Sequence, residues 1–343
     1  MLADKALLAK AETDAMQKPS VLEIITAMMS ALVLAAVLLL GQAFAQEGKG
    51  SKVRIAQAAV ASAFAPYWVA SERGMFKSNG IDVNLTLLGP AASSQALAAE
   101  DIDILSASGE GINLRAEGVD VKYFGTVNHV LDFGLYARKA GPRSISASEF
   151  EGRSIAVTSP GSATDIFARY ILAQYEIDPR KLKFLFTQGL PAIHSGLSSG
   201  QFDLGGLSVP LSLYAESDKS IQTLIQSGQA KVPGTTASLI AKTSWIRNHE
   251  TEAKAILRAL STSVKWMRKH PGETQEIIAA NLKEQDTLQK IYSIYTKIWG
   301  TPNLEADQAG LKVALIYSPN PKAKTVSVDD LIYENNRLAR AIP

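Results

Sequence analysis

Residues Arg153 to Tyr175 read RSIAVTSPGSATDIFARYILAQY: a strand-like run (Arg153–Thr158), the turn SPGSATD (Ser159–Asp165) and a helical pattern from Ile166 to Tyr175. Ser162 followed three residues later by Asp165 has the form of a capping box, with Asp where Glu or Gln is usual. That pair would fix the helix start and leave nearby backbone N–H groups free in a tight, Gly-containing turn. A helix start of this kind can hold an anionic or strongly hydrogen-bond-accepting group without any Lys or Arg. Most such turns only cap their helix, so its weight depends on what surrounds it.

The chain of 343 residues is 46% hydrophobic and 20% charged, which suits two packed domains rather than disorder. A net charge of +2 gives no reason to expect nucleic-acid or membrane-surface binding. Cysteine is absent, which removes disulfides, Cys-ligated zinc, thiol catalysis and a lipoprotein anchor together. Near the N-terminus, Ile24–Leu40 is uncharged and mostly apolar, Lys18 lies upstream, and Ala43-Phe44-Ala45 fits a signal peptidase site, so residues 1–45 read as a secretory signal. Glu23 and a long mixed-charge leader complicate that reading; a start at Met16 would give a cleaner basic region, and an uncleaved anchor is the rival.

After a polar linker, Gln46–Lys52, strands and helices alternate. Val53–Ala59, Asp82–Leu88, Ile102–Ala107 and Val121–Val127 read as strands, with helices over Ala65–Arg73, Ser94–Ala99 and Gly109–Ala116. Arg138–Ser148 is polar, and the alternation then restarts with strands Ser154–Thr158, Leu182–Phe186 and Phe202–Leu207 around helices Ala163–Tyr175 and Pro191–Ser199. A second break, Gly228–Thr236, precedes the strand-like Ala237–Ala241 and a mostly helical tail: Glu252–Arg268, Glu273–Leu282, Leu288–Trp299 and Ala306–Ile316. Such alternation predicts an α/β fold of βαβ units with parallel sheets. Ligands on these sheets bind outside the carboxyl ends of the strands. The smaller module, residues 139–235, is inserted between two halves of a larger one, residues 46–138 and 236–343, so two lobes joined by paired crossings enclose a cleft.

Several segments, in order, resemble one family: RIAQAAVASAFAPYWVASERGMFKSNGIDVNL, ALAAEDIDILSASGEG, SEFEGRSIAVTSPGSATDIFARYIL, GLSSGQFDLGGLSVP and SWIRNHETEAKAILRAL. They are similar to the periplasmic substrate-binding proteins of nitrate, taurine and alkanesulfonate type ABC importers, a group related to the thiamine-pyrimidine synthase fold. The resemblance covers most of residues 53–270. It implies a two-lobed, periplasmic-binding-protein-like fold (type II), with two three-layer lobes, two hinge crossings and a helical C-terminal region. It also implies a periplasmic monomer that binds a small-molecule solute and docks on the transmembrane subunits of an ABC permease with its cytoplasmic ATPase, with no cofactor, metal or nucleic acid. By position, the resemblance assigns ligand contacts to Ala63, Phe64 and Ala65, to Ser106 and Ser108, to Ser159, Gly161, Ser162, Ala163 and Thr164, and to Ser208.

Glu110 departs from the pattern expected of an anion site. A carboxylate there suits the helix dipole, yet facing the cleft it would repel an anion and favour a cationic or hydroxylated end. Asn128, His129 and Asp132 are further candidates at a strand end, and Tyr214 is a candidate for the second wall. Phe64 suits stacking on a ligand, whereas Tyr67 and Trp68 suit the core. His129, His194, His249 and His270 show no metal-ligand spacing, and no Ser/His/Asp order suggests a triad. The chemistry thus points to a binding protein. The alternatives are a pyrimidine-synthase-like enzyme, which would need clustered His and Cys, and a membrane-anchored extracytoplasmic sensor.

Overall fold

A computed structural model describes residues 51–187, 189–299 and 304–342, together with Met29. The proposed leader, residues 1–45, therefore lies outside the described residues apart from Met29. The first sheet begins with β1 (Ser51–Gln57), β2 (Ile81–Leu87), β3 (Ile104–Ala107) and β4 (Val121–Gly125). These are connected through helices α1 (Ala65–Glu72), α2 (Met75–Ser78), α3 (Pro90–Ala98) and α4 (Glu110–Ala116). β1 pairs parallel with both β2 and β3. Its residues alternate between exposed and buried at first and are fully buried by Ile55–Gln57, so the carboxyl end of the strand lies deepest.

The chain then crosses through β5 (Asn128–Leu131) into a second sheet made of β6 (Gly134–Arg138), β7 (Ser154–Val157), β8 (Lys183–Phe186), β9 (Leu204–Leu207) and β10 (Ile221–Ile225). Helices α5 (Ala147–Phe150), α6 (Ala163–Gln174), α7 (Leu190–Ser199) and α8 (Leu211–Ser217) accompany it. The return crossing is β11 (Val232–Thr236), which pairs antiparallel with β5 as a two-stranded ribbon. β12 (Ser238–Lys242) completes the first sheet, and the tail follows as α9 (Thr243–Asn248), α10 (Glu250–Lys269), α11 (Pro271–Leu282), α12 (Leu288–Tyr295), α13 (Gln308–Ile316), α14 (Val328–Leu331) and α15 (Arg337–Arg340). The strand orders are β2-β1-β3-β12-β4 and β10-β6-β9-β7-β8.

The sheets, flanked by helices, and the helical C-terminal region have the periplasmic-binding-protein-like fold. Two details differ from the sequence reading. The sheets are mixed rather than parallel, because β12 runs antiparallel to β3 and β4, and β6 antiparallel to β9 and β10. The first crossing also comes at β5 instead of the polar stretch Arg138–Ser148: β6, read as part of the first lobe, is hydrogen-bonded into the second sheet through Gly134–Leu207 and its neighbours.

Helix α10 shows why the tail is helical and where it packs. Ala253, Ile256, Leu257, Leu260, Val264 and Met267 form a buried stripe at helical spacing. Glu250 and Glu252 in the first turn and Arg268 and Lys269 in the last complement the dipole. The stripe lies against α1, and Ser263 Oγ donates to Pro66 O at 2.8 Å. Helix α13 is placed differently, against β11 and α6, where Tyr317 meets Tyr170 edge-on at 5.4 Å. The tail therefore braces the crossing as well as the first lobe. At the crossing, Thr126 Oγ1 lies 3.0 Å from Ser238 Oγ and 3.3 Å from Thr235 Oγ1, a buried hydroxyl cluster where the chain passes between lobes.

Candidate functional site: a cavity between the two lobes

A cavity of about 520 Å³, including the space at its mouth, opens at the carboxyl ends of the strands. The first lobe contributes Ala58, Ala59, Ala61, Ala63 and Phe64 after β1, Pro90 at the start of α3, and Ala107, Ser108 and Glu110 where β3 turns into α4. The crossings contribute Asp132, Phe133, Thr236 and Ala237; the second lobe contributes Thr158, Ser162, Ala163, Thr164, Leu190 and Ser208. The starts of α3, α4, α6 and α7 thus converge on one space, each fixed by a Gly, Pro or Ser that ends the preceding strand or turn.

The turn SPGSATD forms one wall. Gly161 sits in the left-handed region at φ 72°, and Ser162 is the N-cap of α6 with extended backbone. The expected capping box does not form: Asp165 Oδ2 accepts from Gly161 N, one residue before the cap, at 2.7 Å, Ser162 N goes to Ser159 O, and the Ser162 hydroxyl bonds to no helix N–H. That hydroxyl is committed to a local knot instead: it donates to Ser159 O at 2.8 Å, receives Thr158 Oγ1 at 2.8 Å and lies 3.0 Å from Thr164 Oγ1. Thr164 Oγ1 in turn accepts from Thr158 N at 2.9 Å. The first bond of the helix ladder runs from Ile166 N to Ser162 O, so the N–H groups of Ala163, Thr164 and Asp165 have no protein acceptor among the described residues. With Ala163 and Thr164 on the cavity wall, the helix start brings unbonded donors to the cavity.

On the facing lobe, Glu110 is buried and bends back so that Oε2 accepts from Ser108 N at 2.8 Å. Burial pushes its pKa up, against the pull of the Ser108 and Glu110 backbone N–H groups. Tyr123 OH fastens the same turn from behind by donating to Ser108 O at 2.5 Å. Asp132 is likewise buried, accepts from Tyr295 OH at 2.6 Å, and is pushed up to about 6, again chiefly by burial. The hydroxyls of Ser108 and Thr236 are buried on the wall with no partner among the described residues.

Of the residues expected at the site, Phe64, Ser108, Glu110, Ser162, Ala163, Thr164 and Ser208 line the cavity, as do Ala63 and Asp132. Ala65 and Ser106 are buried in α1 and β3 and do not line it. Ser159 and Gly161 shape the turn, Ser159 through its bonds to Ser162 and Gly161 through its φ. Asn128 points its Nδ2 to Ala63 O at 3.1 Å and so braces the loop after β1 from behind. His129 turns the other way, 3.7 Å from Asp307 Oδ1, and Tyr214 hydrogen-bonds to Glu284. Successive strand residues face opposite sides, so a strand-end position could not decide which of them enters the cleft. Thr158, Phe133, Leu190 and Thr236 line the cavity without having been expected. Leu190, beside Pro191 at a helix start, carried the same signal as Gly89-Pro90. Tyr67 and Trp68 are core residues, held by Tyr67 OH to Ala237 O at 2.9 Å and Trp68 Nε1 to Gln57 Oε1 at 3.1 Å.

The lobes meet across the cavity mouth. Asn113 Nδ2 donates to Pro160 O at 2.9 Å, Ser62 Oγ lies 3.4 Å from Val209 O, and a Cβ on Gly109 would come within 2.2 Å of Gly161 O. Among the described residues no group of His, Cys, Asp and Glu could hold a metal ion, and no helix is long and apolar enough to cross a membrane.

Fold and cavity together define a two-lobed architecture of the periplasmic-binding-protein kind. The family model described as NMT1/THI5 like matches residues 61–274, and the chain belongs to that family. YtlA of Bacillus subtilis (strain 168) is 24% identical over 229 residues, 63% of this chain; the match spans 66% of that relative's length. Among solved structures, the periplasmic nitrate-binding protein NrtA from Synechocystis PCC 6803 superposes with a TM-score of 0.68 at 15% identity, covering 85% of this chain and 89% of that one. The periplasmic aliphatic sulphonate binding protein SsuA from Escherichia coli gives 0.64 at 13% identity, covering 84% and 93%. At these identities the likeness establishes the fold.

Proposed function

We propose that the chain is the extracytoplasmic solute-binding component of an ABC import system, trapping a small organic solute between its lobes and delivering it to a permease. The observation that carries this reading is the cavity between the lobes, where the unbonded N–H groups at the start of α6 face the buried Ser108 and Thr236 hydroxyls. A solute that bridges both walls binds the closed arrangement better than an open one and shifts the population toward it. The names of NrtA and SsuA, binding proteins for nitrate and aliphatic sulphonate, favour the same class of function. The leader-like residues 1–45 favour export.

An enzyme of the pyrimidine-synthase kind is less well supported. Among the described residues no histidine lines the cavity, the chain has no cysteine, and His129 is turned toward Asp307. The reading is tested by thermal shift on the purified protein against sulfonates, carboxylates, amines and pyrimidines. A ligand at about a thousandfold excess over its Kd stabilises by about 4 kcal/mol through mass action, a shift of several degrees. A flat response across all four classes would overturn it.

A further inference from the structure

Among the described residues, Glu110 and Asp132 are the ionisable side chains lining the cavity, and no Lys, Arg or His lines it. They are only 5% and 2% exposed. No cation is among the groups acting on either one: Glu110 is held by backbone N–H groups, and Asp132 by Tyr295 and backbone N–H groups. A buried carboxyl without a cation is costly when ionised. Each nevertheless keeps acceptor capacity beyond the bonds it makes, since a carboxylate offers about four lone-pair sites. Beside them, the Ser108 and Thr236 hydroxyls, 4% and 8% exposed, lack a partner among the described residues. The opposite wall has the reverse character, with the N–H donors of Ala163 and Thr164 and no carboxylate turned inward, because Asp165 is engaged by Gly161 and Arg169. Between the two walls the lining is apolar, with Phe64, Phe133 and Leu190 among its members.

We propose that the solute presents a nitrogen-borne hydrogen-bond donor, neutral or cationic, to the Glu110 and Asp132 wall and an acceptor atom to the start of α6. The cavity thereby selects small amidines, amines or aminated heterocycles over sulfonates and oxyanions. The inference rests on the solute-binding reading above and sharpens it. A simple oxyanion would satisfy the α6 donors but would place its charge in a space already holding two carboxyls and, among the described lining residues, no countercharge. An N–H-bearing solute meets both walls, and a cationic one also supplies the missing partner for the acids.

The test is isothermal titration of the full chain at pH 7.5 with shape-matched probes: benzamidine, 2-aminopyrimidine and cytosine against benzenesulfonate, benzoate and nitrate. At least one nitrogen probe should bind ten times more tightly than every anion. Glu110→Gln and Asp132→Asn, each confirmed folded by circular dichroism, should weaken that probe at least tenfold and leave anion binding equal or stronger. Benzenesulfonate or nitrate binding as tightly as the nitrogen probes, or a nitrogen probe indifferent to both substitutions, overturns the inference while leaving solute capture standing. No heat from any of the six probes overturns the inference, and a flat thermal-shift response across the four solute classes above overturns solute capture as well.

Discussion

Both lobes send a strand, a turn and a helix into the cavity, β3 into α4 on one side and β7 into α6 on the other, and each helix carries an acid in its first turn. In the first lobe that acid is Glu110, at the first helical position. It bends toward the cavity side and occupies the Ser108 N–H itself. In the second lobe it is Asp165, two positions further in, which closes on Gly161 N and is paired with Arg169 Nε at 2.8 Å. The first wall therefore offers acceptors and the second offers donors, although both are strand–turn–helix units. Where the acid falls in the first turn, and whether a cation reaches it, decides what a helix start presents to a ligand.

The largest effect is expected where the two turns touch. Gly109 has φ −76°, a conformation open to any residue, but a Cβ there would lie 2.2 Å from Gly161 O and 2.7 Å from the Ile166 Cδ1 across the cleft. Gly109→Val should leave each lobe folded and block the approach of one to the other. Solute affinity by titration is expected to fall on the order of a thousandfold (about 4 kcal/mol), with the apo melting temperature nearly unchanged. Undiminished affinity would mean that the two turns need not meet for capture.

Next in size is the pair that keeps the second wall free of negative charge. Asp165 is fully buried and Arg169, stacked over Phe184 at 4.1 Å, is partly exposed. Asp165→Ala leaves the guanidinium without its partner and Gly161 N without its acceptor, and should lower the unfolding free energy by about 3 kcal/mol in urea titrations. A loss below about 1 kcal/mol would show that Phe184 and solvent replace the pair.

How much of this was legible in the residues follows the same division. The β3–α4 and β7–α6 units were readable because apolar runs, a Gly- or Ser-bearing turn and a 3.6-residue pattern follow each other. The ribbon of β5 and β11 was not. Asn128–Leu131 opens on two polar residues, and Val232–Thr236 carries Pro233 and Gly234, both signals against a strand. β6 and β10 were passed over for a related reason: they run against β9 and each other at the sheet edge, where no βα alternation announces them. At the site, SPGSATD disclosed its free N–H groups, but the engagement of the Ser162 hydroxyl with Thr158 depends on a strand-end neighbour whose side-chain direction no spacing fixes. The directions of Asn128, His129 and Tyr214 were hidden for the same reason.

The first wall's acids give a smaller, pH-dependent effect. Asp132 has its folded pKa raised from 3.8 to about 6, so folding takes up a proton between those values. The native state accordingly loses stability as pH rises through that interval, and the whole loss, about 2 to 3 kcal/mol, is present at neutral pH and absent below about pH 4. Asp132→Asn should be more stable than the parent at pH 7.5 by up to that amount, with the gap narrowing at pH 5. Taking the difference between the two proteins cancels Glu110 and Asp165, which are also raised by burial and titrate in both. A gap that is constant with pH would mean that Tyr295 and the backbone donors fully offset the burial.

The smallest effect should come from Asn113, whose Nδ2 reaches across the mouth to Pro160 O at 2.9 Å in an exposed position. Water competes for both partners once the lobes part, so the bond contributes about 1 kcal/mol to closure. Asn113→Ala should therefore weaken solute binding about fivefold, mainly through faster release, because the bond exists only in the closed arrangement and an association step that begins from an open one does not depend on it. Stopped-flow measurement separates the two rates. A change confined to the association rate would place the Asn113 contact before solute entry, and would make the meeting of the two turns a condition for capture instead of its result.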